Sequence, residues 1–506
     1  MDSILYDMLL WLVVILFELL LYMRARYFLH MSQQLGYIPE EFLLWIKTRK
    51  DKAFGFSKDK SNLKKPLVMT PRAKRLFTTA MVLNGLVLIL IPLWYYVHRP
   101  TPMGYVLLIA GLVFIGAYLF WQQSILMYIS LYIILPVEKI IHRKFYREAQ
   151  RKLRDLKKKG LTVVGITGSY GKTSTKMILH HILNAYLPTY SSPQSFNTPM
   201  GLSKIINNEL TEEYAFFVAE MGARYQGEIK ELVKLVEPDY GIITNVGPCH
   251  LETFGSLETI LKTKFELTDG VGDDCLVLNY DNDLIREEAR NRQLKATSVS
   301  SLVGVSSDVK VQPIEVTEEG SRFTITWGTE EIEVQTMLLG AHNMMNIAMA
   351  STVARKLGVE SRVIQKAIET IPPVEHRLNI IKNPQGLIIL DDAFNSNPAG
   401  ARAAIDVLTS FQGGKKGIIT PGMVELGDLQ ESENHALGKL IAQRLDFSIF
   451  VGKKITKPLQ NGVEEIANPK HDSYVVETLE EATQLLTQLV GAGDVVLFEN
   501  DLTDIY

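Results

Sequence analysis

The chain runs to 506 residues, too many for one ordinary hydrophobic core, so two or three folded units are expected. Its net charge of -3 hides an asymmetry: residues 1–160 carry 24 Lys and Arg against 10 Asp and Glu, and the rest carry 29 against 46. A basic leading part before an acidic folded part argues against a nucleic-acid binder, and two cysteines, Cys249 and Cys275, suit a reducing cytoplasm.

The apolar excess lies at the start of the chain. Three stretches, 4–23, 76–97 and 103–121, each hold roughly the twenty apolar residues that about 30 Å of hydrocarbon requires. A fourth run, 125–137, is short for a span. Residues 24–75 carry 13 basic and 4 acidic residues, and 139–159 carry 10 and 2. The positive-inside rule puts both segments in the cytoplasm with three spans. The expectation is a multi-pass cell-membrane protein with its catalytic part in the cytoplasm, and 125–137 as an interfacial continuation. Glu18 within the first span reads equally as a functional residue or as one packed against neighbouring spans. From 138 to 160 the apolar stripe Ile141, Phe145, Ala149, Leu153 and Leu156 runs between Lys and Arg clusters. Such a helix suits an anionic leaflet or a solvated connector.

At Leu161 the character changes. Leu161 to Thr167 reads as a buried strand, Gly168-Ser-Tyr-Gly171-Lys172-Thr173-Ser174 as a glycine loop, and Met177, Ile178, His181 and Ile182 as one face of a helix. Strand, loop and helix form a phosphate-binding loop. Its glycines admit phosphates to backbone N–H groups, Lys172 can reach the β- and γ-phosphates, and the Thr173 hydroxyl can ligate Mg²⁺. The spacing is G-x-x-G-x-x-G-K-T from Gly165 to Thr173, not the usual G-x-x-x-x-G-K-T.

This variant loop resembles that of the Mur ligase family, and further motifs follow in order. They are Glu220-Met-Gly222, Thr244 to Ser256 with His250, Lys262-Thr-Lys264, Gly340-Ala-His-Asn343-Met-Met-Asn346, Arg377 and Asp391-Asp392-Ala-Phe-Asn395-Ser-Asn397-Pro. Over about 161–500 the chain is most similar to the branch that adds D-alanyl-D-alanine to a muramoyl tripeptide. The resemblance implies an α/β architecture: N-terminal transmembrane helices (1–137), the basic linker (138–160), an ATP-binding central domain (161–370) and a Rossmann-like C-terminal domain (371–506). It also implies ATP and Mg²⁺ as cofactors. Thr173, Glu220, His250 and a carbamylated Lys264 would hold metal, with Lys172, Lys264, His250 and Arg377 as catalytic residues. Gly168, Gly171, Lys172, Thr173, Ser174, Asn343, Asn346, Arg377 and Asp392 would hold the nucleotide: the asparagines at adenine, Arg377 at the phosphates and Asp392 at the ribose. The implied reaction is an ATP-dependent carboxylate–amine ligation through an acyl phosphate. Its partners would be a carboxylate-bearing cell-wall-type precursor, an amine (an amino acid or dipeptide) and the membrane, with no nucleic acid.

Two departures qualify the substrates. The membrane region ends near 137 and the phosphate strand starts at 161, which leaves no room for the family's UDP-sugar domain and points to a lipid-linked or membrane-localised acceptor. The C-terminal strand reads Gly493-Asp-Val-Val-Leu-Phe-Glu-Asn-Asp where the family has Lys-Gly-Ser after it, which alters the amine half of the site. Two alternatives stand beside the cell-wall reading: a related amide ligase on a lipid-linked or polymer acceptor, and a membrane transport or signalling NTPase.

Overall fold

The computed structural model describes residues 2–55, 66–98, 101–193, 196–317, 319–374, 376–384, 386–393 and 396–500. These form two compact units, one up to Lys144 and one from Phe145 onward.

The first unit is helical: α1 (Asp2–Gln34), α2 (Pro39–Thr48), α3 (Lys50–Phe54), α4 (Pro71–His98), α5 (Pro102–Trp121) and the first part of α6 (Gln123–Lys158). Proline at the first turn of α2 and α5 costs no hydrogen bond, because that N–H is unpaired in any helix, and the Thr101 hydroxyl caps α5 by accepting from Gly104 N–H at 3.3 Å. The helices bury two apolar layers. One joins Leu10, Val14, Leu21, Leu88, Tyr105, Leu112 and Leu119. The other joins Phe28, Leu29, Phe42, Trp45, Leu76, Met127, Leu131 and Ile134. Outward-facing Trp11, Ile15, Leu19, Leu107 and Phe114 are 50–74% exposed, an apolar surface larger than single scattered residues would make. Asp7–Gln34, Met103–Trp121 and Gln123–Lys158 are long and apolar enough to cross a bilayer. The last contains the 125–137 run that the sequence reading set aside. The expected span 76–97 falls in α4, whose side chains from 90 on lie outside the described residues. Glu138 of α6 is buried but not alone: Arg75 grips it with two N–H donors at 2.6 and 3.0 Å.

The second unit holds two sheets. The first contains β1 (Thr162–Thr167), β2 (Thr189–Ser191), β3 (Phe216–Glu220), β4 (Tyr240–Ile243), β5 (Leu276–Asn279), β6 (Thr297–Ser300), β7 (Val309–Thr317), β8 (Gly320–Trp327) and β9 (Glu330–Thr336), in the order β2-β3-β1-β4-β5-β6-β7-β8-β9. Parallel pairing runs from β2 to β7, and β7, β8 and β9 continue it as an antiparallel meander. The strands between 309 and 336 are thus the far edge of the main sheet. Helix α7 (Lys172–Asn184) covers one face through Ile178, Leu179, Ile182 and Leu183, whereas Met177 is exposed. The opposite face takes the end of α6, with Ala149, Leu153 and Leu156 buried in that core. Lys152 Nζ donates to Asn207 O at 2.9 Å and Gln150 Nε2 to Lys234 O at 2.8 Å, satisfying the carbonyl ends of helices Pro199–Asn208 and Glu228–Val236. From Ala149 onward the stripe therefore faces protein, neither leaflet nor water, whereas Ile141 and Phe145 are only half-buried.

The second sheet contains β10 (Asn379–Lys382), β11 (Ile388–Asp392), β12 (Lys416–Thr420), β13 (Phe447–Val451), β14 (Asp472–Val476) and β15 (Val495–Glu499). Their order is β10-β11-β15-β12-β13-β14, parallel except for the edge strand β10. The chain passes from β11 over to β12 and returns to place β15 between them. Ligands of doubly wound sheets bind at the carboxyl ends of strands beside such a reversal.

Candidate active site

The phosphate loop sits where β1 meets α7, with β3 on one side and β4 on the other. Gly168 has φ +152°, and a Cβ there would stand 2.1 Å from Thr244 Oγ1; at Gly171, φ +79°, it would stand 2.9 Å from Asn346 Oδ1. Only glycine lets the loop lie this close to its neighbours. Ser169 N–H donates to Asn245 O at 2.6 Å and its hydroxyl to Gly247 O at 3.0 Å, which fastens the loop to the segment after β4.

Lys172 curls over its own loop, donating to Gly168 O at 2.8 Å and Ser169 O at 3.0 Å. Burial lowers its pKa, opposed by Glu220. Thr173 Oγ1 donates to Glu220 Oε2 at 3.0 Å. Two oxygens so spaced match adjacent ligands of an octahedral Mg²⁺ with bonds of about 2.1 Å. A hydroxyl and a carboxylate are hard donors, so this pair fits the ion, which keeps waters for its remaining positions.

Glu220 is held by more than Thr173. Lys176 Nζ, fully buried one helical turn beyond Lys172, lies 3.1 Å from the same Oε2, and Asn197 Nδ2 donates to Oε1 at 3.1 Å. Burial pulls the Glu220 pKa up, but Lys176, Lys172 and Asn197 outweigh it and leave it below the usual carboxylate range. Neither Lys176 nor Asn197 was singled out in the sequence. The helical spacing Lys172–Lys176 was the available signal, since i and i+4 share a face.

The other expected metal residues have different surroundings. His250, in the left-handed region at φ +48°, points Nδ1 at the Glu425 carboxylate, and Leu251 N–H donates to Glu425 O at 3.0 Å. Arg224 reaches Glu425 at 3.5 Å. Nothing in the sequence marked Glu425, which lies more than 170 residues further on in the second sheet's domain. Lys264 is 1% exposed, its Nζ 5.4 Å from the Phe254 ring centre, and burial first, then Lys172, lower its pKa to about 8. A buried lysine that sheds its proton so readily is the form that can capture CO₂ as a carbamate. Cys249 is half-buried.

Asn343 and Asn346 are 4% and 5% exposed and bonded within the fold: Asn343 Nδ2 to Leu339 O at 2.8 Å, Asn346 Oδ1 accepting from Thr175 Oγ1 at 3.2 Å. Ser174 is buried behind the loop. Arg377, just before β10, feels the charge of Asp392 first and then of Glu220 and Glu499. Burial lowers its pKa and raises that of Asp392 to about 6, Arg377 opposing the latter. Asp392 Oδ1 accepts from Leu378 N–H at 3.3 Å.

A nucleotide-binding α/β enzyme is the class this arrangement defines, and comparison with known proteins narrows it. Residues 166–354 match the Mur ligase middle domain, and 376–499 match the Mur ligase, glutamate ligase domain. The chain is 30% identical to the UDP-N-acetylmuramoyl-tripeptide–D-alanyl-D-alanine ligase of Bacillus subtilis, over 68% of this chain and 74% of that one. With the Mycobacterium tuberculosis ligase of the same name it shares 33% identity over 58% of each chain. Among solved structures, MurF from Acinetobacter baumannii gives a TM-score of 0.64 at 27% identity, covering 71% of this chain and 77% of that one. MurF from Thermotoga maritima in complex with ADP gives 0.62 at 27%, covering 71% and 80%. The chain belongs to the Mur ligase family of ATP-dependent ligases.

Proposed function

We propose that this chain forms an amide bond at a membrane, joining an amino acid or dipeptide to a carboxylate-bearing cell-wall-type precursor by way of an acyl phosphate. The observation that carries this reading is Arg377, whose charge bears both on Glu220 beside the phosphate loop and on the carboxylates ending β11 and β15. A switch or motor has no use for a second acidic edge there, whereas a ligase must bring a third reactant to the γ-phosphate.

In this reading the loop amides and Lys172 hold the phosphates of ATP while a substrate carboxylate oxygen attacks the γ-phosphorus and the bond to ADP breaks. The amine then attacks the acyl phosphate carbonyl, phosphate leaves with the C–O electrons, and the amine loses a proton. Lys172 and Arg377 neutralise charge on the transferring group, and positioning supplies most of the acceleration. Bound at Thr173 and Glu220, Mg²⁺ would add charge neutralisation at the phosphates. Carbamylated Lys264 and His250 are the further ligands inferred from family resemblance. Asp392 would accept from the ribose hydroxyls.

The exposed apolar helices of the first unit support a multi-pass anchor, and the basic segments 24–75 and 139–159 support a ligase unit on the cytoplasmic side. Described residues ahead of β1 are helical, which supports an acceptor presented at the membrane, lipid-linked or local, where tethering raises its effective concentration. The test is phosphate release from Mg-ATP by detergent-purified protein across UDP-muramoyl peptides, lipid-linked precursors and amines, with mass spectrometry of products. Release requiring both partners and yielding an amide supports the reading. Steady hydrolysis without amide, lost in Lys172→Ala, would replace it with a transport or switch NTPase.

A further inference from the structure

Strand β15 ends in the middle of the second sheet, and its last residue, Glu499, stands in register with Asp392 of β11. Their backbones thus lie side by side on neighbouring strands, about 4.8 Å apart along the sheet. Glu499 is 1% exposed. Its Oε1 accepts a hydrogen bond from the Ser396 hydroxyl. Its Oε2 is buried without a hydrogen-bond partner.

The strand end is built to hold this position. Asn500 takes a left-handed conformation, φ +66°, which a non-glycine residue adopts at a cost. From there its N–H donates to Asp392 O at 3.2 Å, its Oδ1 accepts from Ser396 N–H at 3.3 Å and its Nδ2 donates to Gly422 O at 2.7 Å. Asn500 therefore clasps β11, β15 and the turn after β12. An acceptor so fixed and left unmade is costly, and such groups survive where a ligand supplies the donor.

The charge balance indicates which donor. Among the described residues Arg377 is the one cation whose charge bears on Glu499, and it is shared with Asp392 and Glu220. Glu220 has Lys172 and Lys176 besides; Glu499 has nothing else. Burial, then Asp392, push the Glu499 carboxyl well above the usual range, as expected of a buried acid short of positive charge.

We propose that Glu499 Oε2 anchors a second, positively charged group of the amine substrate, so that the substrate is a diamino acid or a peptide containing one. One amine attacks the activated carbonyl while the other, protonated, lies on Glu499. A dipeptide with no such group would bring only its carboxylate to an acidic edge. This deepens the amide-ligase reading and rests on it.

The test is equilibrium binding to full-length protein in detergent, loaded with Mg-ADP, of D-alanyl-D-lysine and of D-alanyl-D-alanine as the neutral match. Wild type should prefer the cationic dipeptide by about tenfold or more, the strength of a hydrogen bond between charged groups, and Glu499→Gln should abolish the preference. Equal binding by wild type, or a preference that survives Glu499→Gln, overturns the proposal. Should Glu499→Gln also lower the melting temperature, Glu499→Asp decides: a restored preference supports the charge role, and none overturns it. Amide formation is read separately. A charge preference with no amide from any acceptor would sink the ligase reading and leave the cation site standing. Amide formed without preference would do the reverse.

Discussion

The two edges of the site treat their buried carboxylates differently. At the phosphate loop, Glu220 has a donor or cation on each oxygen: Thr173 and Lys176 on Oε2, Asn197 on Oε1. At the end of β15, Glu499 has Ser396 on one oxygen and, among the described residues, no hydrogen-bond partner on the other. Burial penalises both, yet the first stays below the usual carboxylate range and the second rises well above it. Pairing, not depth, separates them. In the first unit a buried carboxylate is likewise paired: Glu138 accepts two hydrogen bonds from Arg75. An edge complete before its ligand arrives suits a reactant common to a whole family. An edge left short of a cation suits the reactant that distinguishes one member.

The sharpest attack on this comparison is at the complete edge. Lys172→Ala removes the cation over the loop and should lower amide formation and ATP turnover about 10³-fold, since most of the acceleration is electrostatic. Steady-state phosphate release measures it. A loss under tenfold would mean that the loop is not where phosphate is transferred.

Next is Lys176→Met, which keeps the length and removes the charge. Breaking a buried pair costs about 3–5 kcal/mol because the surviving charge is stranded. The variant should melt well below wild type in detergent, and Mg-ADP should restore part of the loss by supplying a cation beside Glu220. An unchanged melting temperature would show that Glu220 does not depend on Lys176, and the contrast with Glu499 would lose its physical basis.

How much of this was legible follows from what each residue's neighbours are. The loop, Glu220 and β3 could be read because strand, glycine turn and helix are contiguous and their chemistry is local. The second sheet's alternation was legible for the same reason. Lys176 was half-legible, one turn from Lys172. Glu425 was not, because its role comes from His250, far off in sequence; Glu499 was half-legible, since the run from Gly493 marked the amine half of the site but its neighbours Ser396 and Asp392 lie about a hundred residues earlier. The stripe at Ala149, Leu153 and Leu156 was read correctly as a face, but spacing does not say what covers it, and here the covering is the first sheet's domain.

A smaller effect is expected at Lys264. If it serves as a carbamate, Lys264→Ala should lower amide formation by about 100-fold, the upper range for loss of a group that tunes a metal site. Wild-type activity should fall in buffer stripped of bicarbonate and return when bicarbonate is added, with no such response in the variant. Activity indifferent to bicarbonate would leave Lys264 as a buried amine beside Lys172, and the complete edge would need another ligand.

The smallest effect tests the shared boundary of the two edges. Asp392, pushed up to about 6 by burial against the pull of Arg377, is protonated in the folded chain at pH values where an unfolded Asp is ionised. Its contribution to stability is therefore present below about pH 4 and lost as pH rises through about 6. In the proposed reading, with Asp392 at the ribose, nucleotide binding runs the other way, because only the ionised carboxylate accepts from both hydroxyls. ADP affinity should fall about tenfold from pH 7 to pH 5, with close to one proton released per ADP bound at the acid end, and titration calorimetry in two buffers would count that proton. Asp392→Asn should bind ADP more weakly at pH 7 and lose the dependence in this window. Were the slope to persist in the variant, the titrating group would lie elsewhere. Asp392 would then belong with Glu499 on the amine side, and the boundary between the two edges would move to Arg377.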